Sequence, residues 1–429
     1  MKRIRLAWIL VATAIAAFGL GGVSWAFHDG GVATCTGCHS MHSARSTDNL
    51  LMQSDNGSAC LRCHERATDT GPSSYRVSTP SAKLAASTDV VLHRTPGGDF
   101  GWLRQTLTAT STFGGTVTNP GFERGHNIIA ADNQYTLVDS ASPPTPMPPG
   151  ELSCTSCHDP HSRARRLSDG SIIHPTTGTT YDPTFESGSY GHVPVAGEAA
   201  GVYRLLGSSG YQAYDGGPTF PGNPAAVVNS TYNRSEVSTQ TRVAYGYGAS
   251  NGYSAWGKWC ATCHPDYHTD TASNFVHTVD GALGGAATTY AAYVKSGDLT
   301  GTLATSYNSL VPFATNDNDT ATLAALALVD DSDLTGPSGT DRIMCLSCHR
   351  AHASGWKYAL RWNQESEFLT LSDASGASVY PGVDAGLGNQ GQYNRGYTTA
   401  QMAAAYNGRL ATEFAPHQRS MCNKCHAKD

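Results

Sequence analysis

Six copies of Cys-x-x-Cys-His use all twelve cysteines of this 429-residue chain. They are Cys35/Cys38/His39, Cys60/Cys63/His64, Cys154/Cys157/His158, Cys260/Cys263/His264, Cys345/Cys348/His349 and Cys422/Cys425/His426. The pattern is the attachment signature of c-type haem. Two thiols add across the vinyl groups, and the adjacent histidine is held under the iron as its proximal ligand. Zinc sites would need two Cys-x-x-Cys units meeting at short spacing. Here the first cysteines, at 35, 60, 154, 260, 345 and 422, stand 25, 94, 106, 85 and 77 residues apart. A disulfide framework would not require a histidine after every pair. The motifs therefore predict six covalently bound haems and an electron-transferring chain.

Covalent haem of this kind is attached outside the bacterial cytoplasm, and the N-terminus agrees with export. Residues 1–26 read as a cleaved secretory signal peptide, with Lys2, Arg3 and Arg5 ahead of the apolar run Leu6 to Leu20. Ser24-Trp25-Ala26 resembles a cleavage site; an uncleaved membrane anchor is the competing reading. Residues 27–429 are expected to form a single hexahaem domain, soluble or surface-associated. Losing the three basic signal residues moves the formal charge from −6 to −9, and propionates add to that, which argues against a nucleic-acid partner.

Only 14% of residues are charged, against roughly 25% in ordinary soluble domains, and glycine and proline number 46 and 21. This composition makes loops. The expected fold class is a multihaem cytochrome c, mostly irregular coil with a few short helices and minimal β, wrapped around a chain of six haems that serve as the core. Helices are expected over Thr320–Val329 after Asp319, over Ala287–Lys295 and over Thr399–Phe414, the last interrupted by Gly408. Each haem motif should form a short helical turn. The Gly/Tyr/Ser/Asn-rich stretch 207–257 cannot fill a conventional core by itself. No fixed-period repeat is visible beyond the motifs.

Seventeen histidines are present, and six are proximal ligands. Four of the others follow a motif by about one turn: His42, His161, His268 and His352. A histidine at that distance cannot reach over its own haem but can ligate a neighbouring one. His126 and His277 complete the expected distal set, with His28 in reserve. His93, His174, His192 and His417 read as exposed. Methionine is the competing sixth ligand, but Met344 and Met421 directly precede attachment cysteines and are badly placed. Fully capped irons pass electrons without binding substrate, so no catalytic residue is expected. A haem enzyme acting on nitrogen or sulfur oxyanions would need an open iron. Arg163, Arg165 and Arg166 could pair with propionates or form a solvated basic turn.

Between the motifs, several segments carry a family resemblance. They are Phe27-His28 with Gly30-Gly31-Val32, Asp69 to Tyr75, Thr95 to Trp102, Thr239 to Gly246, Cys345 to Gly355, and Cys422 to Asp429. In these the chain resembles the cytochrome nanowire family, extracellular hexahaem cytochromes of metal-reducing bacteria. The resemblance implies end-to-end homopolymers that carry respiratory electrons to metal oxides, electrodes or partner cells. Outer-membrane or periplasmic cytochromes are the implied donors. It also implies that His42 acts in trans, on the iron held by Cys345, Cys348 and His349 of the next subunit. The family positions support His126, His161, His268, His277 and His352 and keep His28 in contention. The Tyr/Gly-rich stretch 246–259 is longer than the family pattern. A discrete, non-polymerising surface carrier or terminal reductase is the alternative.

Overall fold

Loop-forming composition becomes a structure in which short turns outnumber long elements. The computed structural model describes residues 35–46, 49–65, 76–80, 84, 95–110, 116–137, 147–148, 150–162, 164–174, 184–185, 193–228, 243–248, 250–268, 277–292, 311–327, 336–385, 396–406, 408 and 410–426. Among them the longest helix is Asn56–His64, nine residues. The Asp55 carboxylate starts it by accepting from Ser58 N at 2.7 Å and Ser58 Oγ at 2.9 Å, the usual means of satisfying orphan N–H groups at a helix start. Short turns carry other motifs: Cys35–Gly37, Cys154–Ser156, Trp256–Ala261, Cys345–Cys348 and Met421–Lys424.

The three helices read from sequence are present, the first and third in shorter form. Thr320–Leu326 begins where expected, with Thr322 N donating to the Asp319 carboxylate at 2.8 Å. Ala286–Ala292 covers the start of the second. The third stops at Ala405, because Gly408 adopts φ 76° and turns the chain before a separate turn at Ala411–Glu413. A positive φ costs a glycine little.

Strands are two to four residues long and form small patches, such as the hairpin Leu107–Thr110 with Thr116–Asn119. The protein nevertheless supplies more core than its composition suggests. One buried cluster gathers Phe100, Trp102, Trp356, Trp362, Tyr380, Tyr397 and Tyr406. A second draws Ala213, Phe220, Val228, Val243, Tyr245 and Trp256 from the stretch expected to fill no core by itself. That stretch succeeds because Tyr203, Trp259, Ala314 and Met344 from flanking segments close the cluster. Phe220 stacks on Trp259 with centroids 4.6 Å apart. Within the long 246–259 stretch, Tyr253–Ser254 pairs in parallel with Asn223–Pro224, and Tyr247 lies under Arg342 at 3.8 Å.

Candidate haem sites

The first, third and fifth motifs are held by one repeated backbone clip. The proximal ring Nδ1 meets a carbonyl in each: His39 to Asn49 O at 2.7 Å, His158 to Arg204 O at 2.7 Å and His349 to Tyr358 O at 2.8 Å. The N–H following each histidine donates to the next carbonyl: Ser40 to Leu50 O, Asp159 to Leu205 O and Arg350 to Ala359 O. Two residues further on, Met52, Gly207 and Arg361 donate back to Cys38 O, Cys157 O and Cys348 O, each at 2.9 Å. The residue after each acceptor is left-handed: Leu50 at φ 52°, Leu205 at 53° and Ala359 at 55°. An Nδ1–H given to a carbonyl fixes ring and tautomer and leaves Nε2 free for a metal.

Four proximal rings face a second histidine ring. The centroid separations are 6.0 Å for His39–His161, 6.3 Å for His158–His352, 5.9 Å for His264–His126 and 6.0 Å for His426–His277. A metal–imidazole bond of about 2 Å on each side, plus two ring radii, gives about the same separation for two axial ligands of one iron. The interplanar angles are 24°, 55°, 44° and 72° in that order. Burial lowers the pKa of His126 and His158, and takes His264 down to about 4 and His352 to about 3. The neutral ring is the form that ligates.

The rings facing the motif histidines come from distant segments. His126 N donates to His352 O at 3.0 Å, and His352 N donates to Gly97 O at 2.7 Å, so two of them share one strip of backbone. His126 Nδ1 bonds Ala351 O at 2.7 Å. His161 and His42 each follow a polar residue that bends the chain: His161 N donates to Asp159 Oδ1 at 2.9 Å, and His42 N to Ser40 Oγ at 3.3 Å. Among the described residues no ring faces His42 or His349. The backbone of His268 lies in the turn Pro265–His268, and its side chain is outside the described residues, as are His28, His93, His192 and Arg163. His174 bonds Ser208 Oγ at 2.9 Å, and His417 lies edge-on to Phe368. Arg165 reaches Ser162 O at 2.8 Å, and Arg166 is buried with Nη1 on Thr320 Oγ1 at 2.7 Å.

The cysteines, here thiols standing where a cytochrome has thioether sulfurs, order the motifs in space. Burial raises the Cys38 pKa, and Cys60 and Cys63 add to it. Cys60 hydrogen-bonds Cys154. Burial pushes Cys157 up to about 12, helped by Cys263. Cys260 hydrogen-bonds Cys345. Burial takes Cys348 to about 12, with Cys422 and Cys425 contributing. Each motif thus neighbours the next along the chain, first to sixth.

A second observation tests whether haem fits. Among the described residues, buried polar atoms lacking a partner include Arg104 Nε, Arg124 Nη1, Asn223 Nδ2, His264 Nδ1, His352 Nδ1, Trp356 Nε1 and Asn363 Nδ2. All seven sit on groups that donate, or can donate, a hydrogen. Buried donors are nearly always satisfied, so a surplus of them suits a cofactor that brings carboxylates. With the ring pairs, this makes the residues present a fit for c-type haem.

The clip was not read from the sequence. Its acceptors lie 10, 46 and 9 residues from their histidines, so no fixed period exists to find. Two signals are shared: a leucine two residues after each acceptor, Leu51, Leu206 and Leu360, and a histidine three residues after each ring, His42, His161 and His352.

No family model matches the chain. It is 46% identical to the C-type cytochrome OmcS of Geobacter sulfurreducens over 430 residues, covering 95% of each protein. Among solved structures it is similar to the outer membrane cytochrome S filament of Geobacter sulfurreducens, with TM-score 0.79 and 44% identity over 94% of this chain and 100% of that one. It is likewise similar to the OmcS nanowires of that organism seen by cryo-EM, with TM-score 0.80 at the same identity and coverage.

Proposed function

Since the chain belongs to the OmcS family of c-type cytochromes, we propose that it is an exported hexahaem electron carrier that polymerises end to end and conducts electrons to acceptors outside the cell. When bound, each haem supplies an iron that takes up and releases one electron. The chain's own residues fix where those irons sit and keep substrates off them.

The observation that carries this reading is the step between ring pairs. His161, after the third motif, faces His39 of the first; His352, after the fifth motif, faces His158 of the third. The same step applied to His349 of the fifth motif calls for a histidine after a seventh motif. The next subunit's first motif supplies one in His42. His42 is exposed at one end of the motif series, and its neighbour Met41 is 80% exposed. The joint between subunits then repeats the joint within a subunit.

Even-numbered motifs follow a second rule. His126 precedes the third motif and faces His264 of the fourth; His277 precedes the fifth and faces His426 of the sixth. By that register His28, which precedes the first motif, serves His64 of the second. This favours His28 over His268 for the last distal position. The distal set is then His28, His42 in trans, His126, His161, His277 and His352. Respiratory cytochromes of the cell envelope as donors, and metal oxides, electrodes or partner cells as acceptors, fit a surface filament of this kind.

The test is His42→Ala. Surface material sheared from expressing cells should lose its haem-staining filaments while mass spectrometry still finds six haems per chain. Filaments of normal length from the variant would exclude His42 as the joint, and single particles from the unaltered protein would favour a discrete carrier.

A further inference from the structure

Two residues before His126 lies a buried cation that forms no ion pair among the described residues. Arg124 is 1% exposed. Its Nη2 donates to Asn119 O at 3.0 Å, and its guanidinium carbon lies 5.7 Å from the Trp102 ring centre and 5.5 Å from that of Tyr397. Its Nη1 is buried and has no hydrogen-bond partner among the described residues. The adjacent carboxylate, Glu123, is committed to Lys357 at 3.0 Å. Aromatic faces attract a guanidinium, but they do not replace a hydrogen-bond acceptor, and a buried charge lacking a counter-charge is strongly unfavourable.

Two features bear on what the guanidinium faces. Only the extended Gly125 separates Arg124 from His126, whose ring pairs with that of His264 with centroids 5.9 Å apart. A second orphan donor, Trp356 Nε1, sits in the same wall, its ring 4.8 Å from that of Tyr397. Guanidinium plus indole N–H makes a cradle for a carboxylate. On the function proposed above, the nearest source of a buried carboxylate is the haem edge.

We propose that Arg124 Nη1 holds a propionate of the haem capped by His126 and His264, with Trp356 Nε1 beside it, and so keeps that propionate ionised while the iron changes charge. The guanidinium is a positioning group: it touches the cofactor's edge and passes no electron.

The experiment compares holo-protein with Arg124→Met and Arg124→Lys. If a propionate is paired there, Arg124→Met leaves it buried and alone, so the melting temperature falls. If Arg124 has no anion, removing it raises the melting temperature. Spectroelectrochemical titration gives a second readout. With the pair intact, the steps should vary little with pH. In Arg124→Met the stranded propionate takes up a proton on reduction, and one of the six steps should gain a slope approaching about 59 mV per tenfold change in proton concentration. Arg124→Lys should hold that slope down. An unchanged slope in Arg124→Met with a raised melting temperature overturns the proposal.

Should Arg124→Met fail to mature, a side-chain-resolution map of the unaltered filament decides. A propionate oxygen within hydrogen-bond distance of Nη1 supports the proposal; water, a free anion or nothing there overturns it. Haem count and filament content from the same preparation report separately on the function proposed above.

Discussion

At the scale of single residues, the Cys-x-x-Cys-His motifs were legible and the backbone supports of their histidines were not. A Cys-x-x-Cys-His run states its own chemistry, whereas a distal histidine is defined by a partner far away in sequence. His126 and His277 lie in no motif, and what places His126 is backbone: its N–H on His352 O and its Nδ1 on Ala351 O. Gly97 and Gly98 are part of that placement. The Gly97 carbonyl accepts from His352, and Gly98, at φ 92°, is so close to Ala353 O that a Cβ would collide with it. Gly98→Ala must therefore strain the backbone and displace the strip bearing His352. We expect a loss of about 1–3 kcal/mol, read as a lower melting temperature of the holo-protein, with weakened low-spin character in its ferric spectrum. A melting temperature equal to that of the parent would show that the strip yields without cost.

At the scale of elements, the sequence revealed short helices and the Asp319 cap but not the clips. Asp319 and the run after it announce a helix because capping and periodicity are local. The clips join segments at unequal separations and use left-handed leucine or alanine, residues that ordinarily avoid φ near 55°. Ala359 is the informative one, since it is 7% exposed and has little side chain to lose. Ala359→Gly should keep the clip and relieve strain, leaving stability unchanged or raised by up to about 1 kcal/mol. Ala359→Pro cannot reach φ 55°, so it should shift Tyr358 O away from His349 Nδ1. Thermal melts separate the two. On the proposed trans ligation, only the proline variant should also shorten filaments under electron microscopy.

At the scale of the whole molecule, motif order in space follows motif order in sequence, a relation that spacing alone does not give. The coil-rich class was legible from composition; the two aromatic clusters were not, because their members are spread from Phe100 to Tyr406. One consequence extends over the whole series. Burial holds His126, His158, His264, His349 and His352 below the ordinary histidine value of 6.5, His264 at about 4 and His352 at about 3. A group whose folded pKa is depressed binds fewer protons folded than unfolded. Its stabilising contribution is intact above the unfolded value and declines as pH falls toward the folded one. Ligation by iron acts in the same direction, because it too requires the neutral ring. Stability should therefore fall from about pH 6.5 downward, reaching its acid limit near pH 3, with most of the histidine contribution lost between them. Acid titration followed by the ferric Soret band should show low-spin haem giving way to high-spin haem across that window. A low-spin Soret band that persists unchanged down to pH 3 would contradict the assignment of burial as the cause.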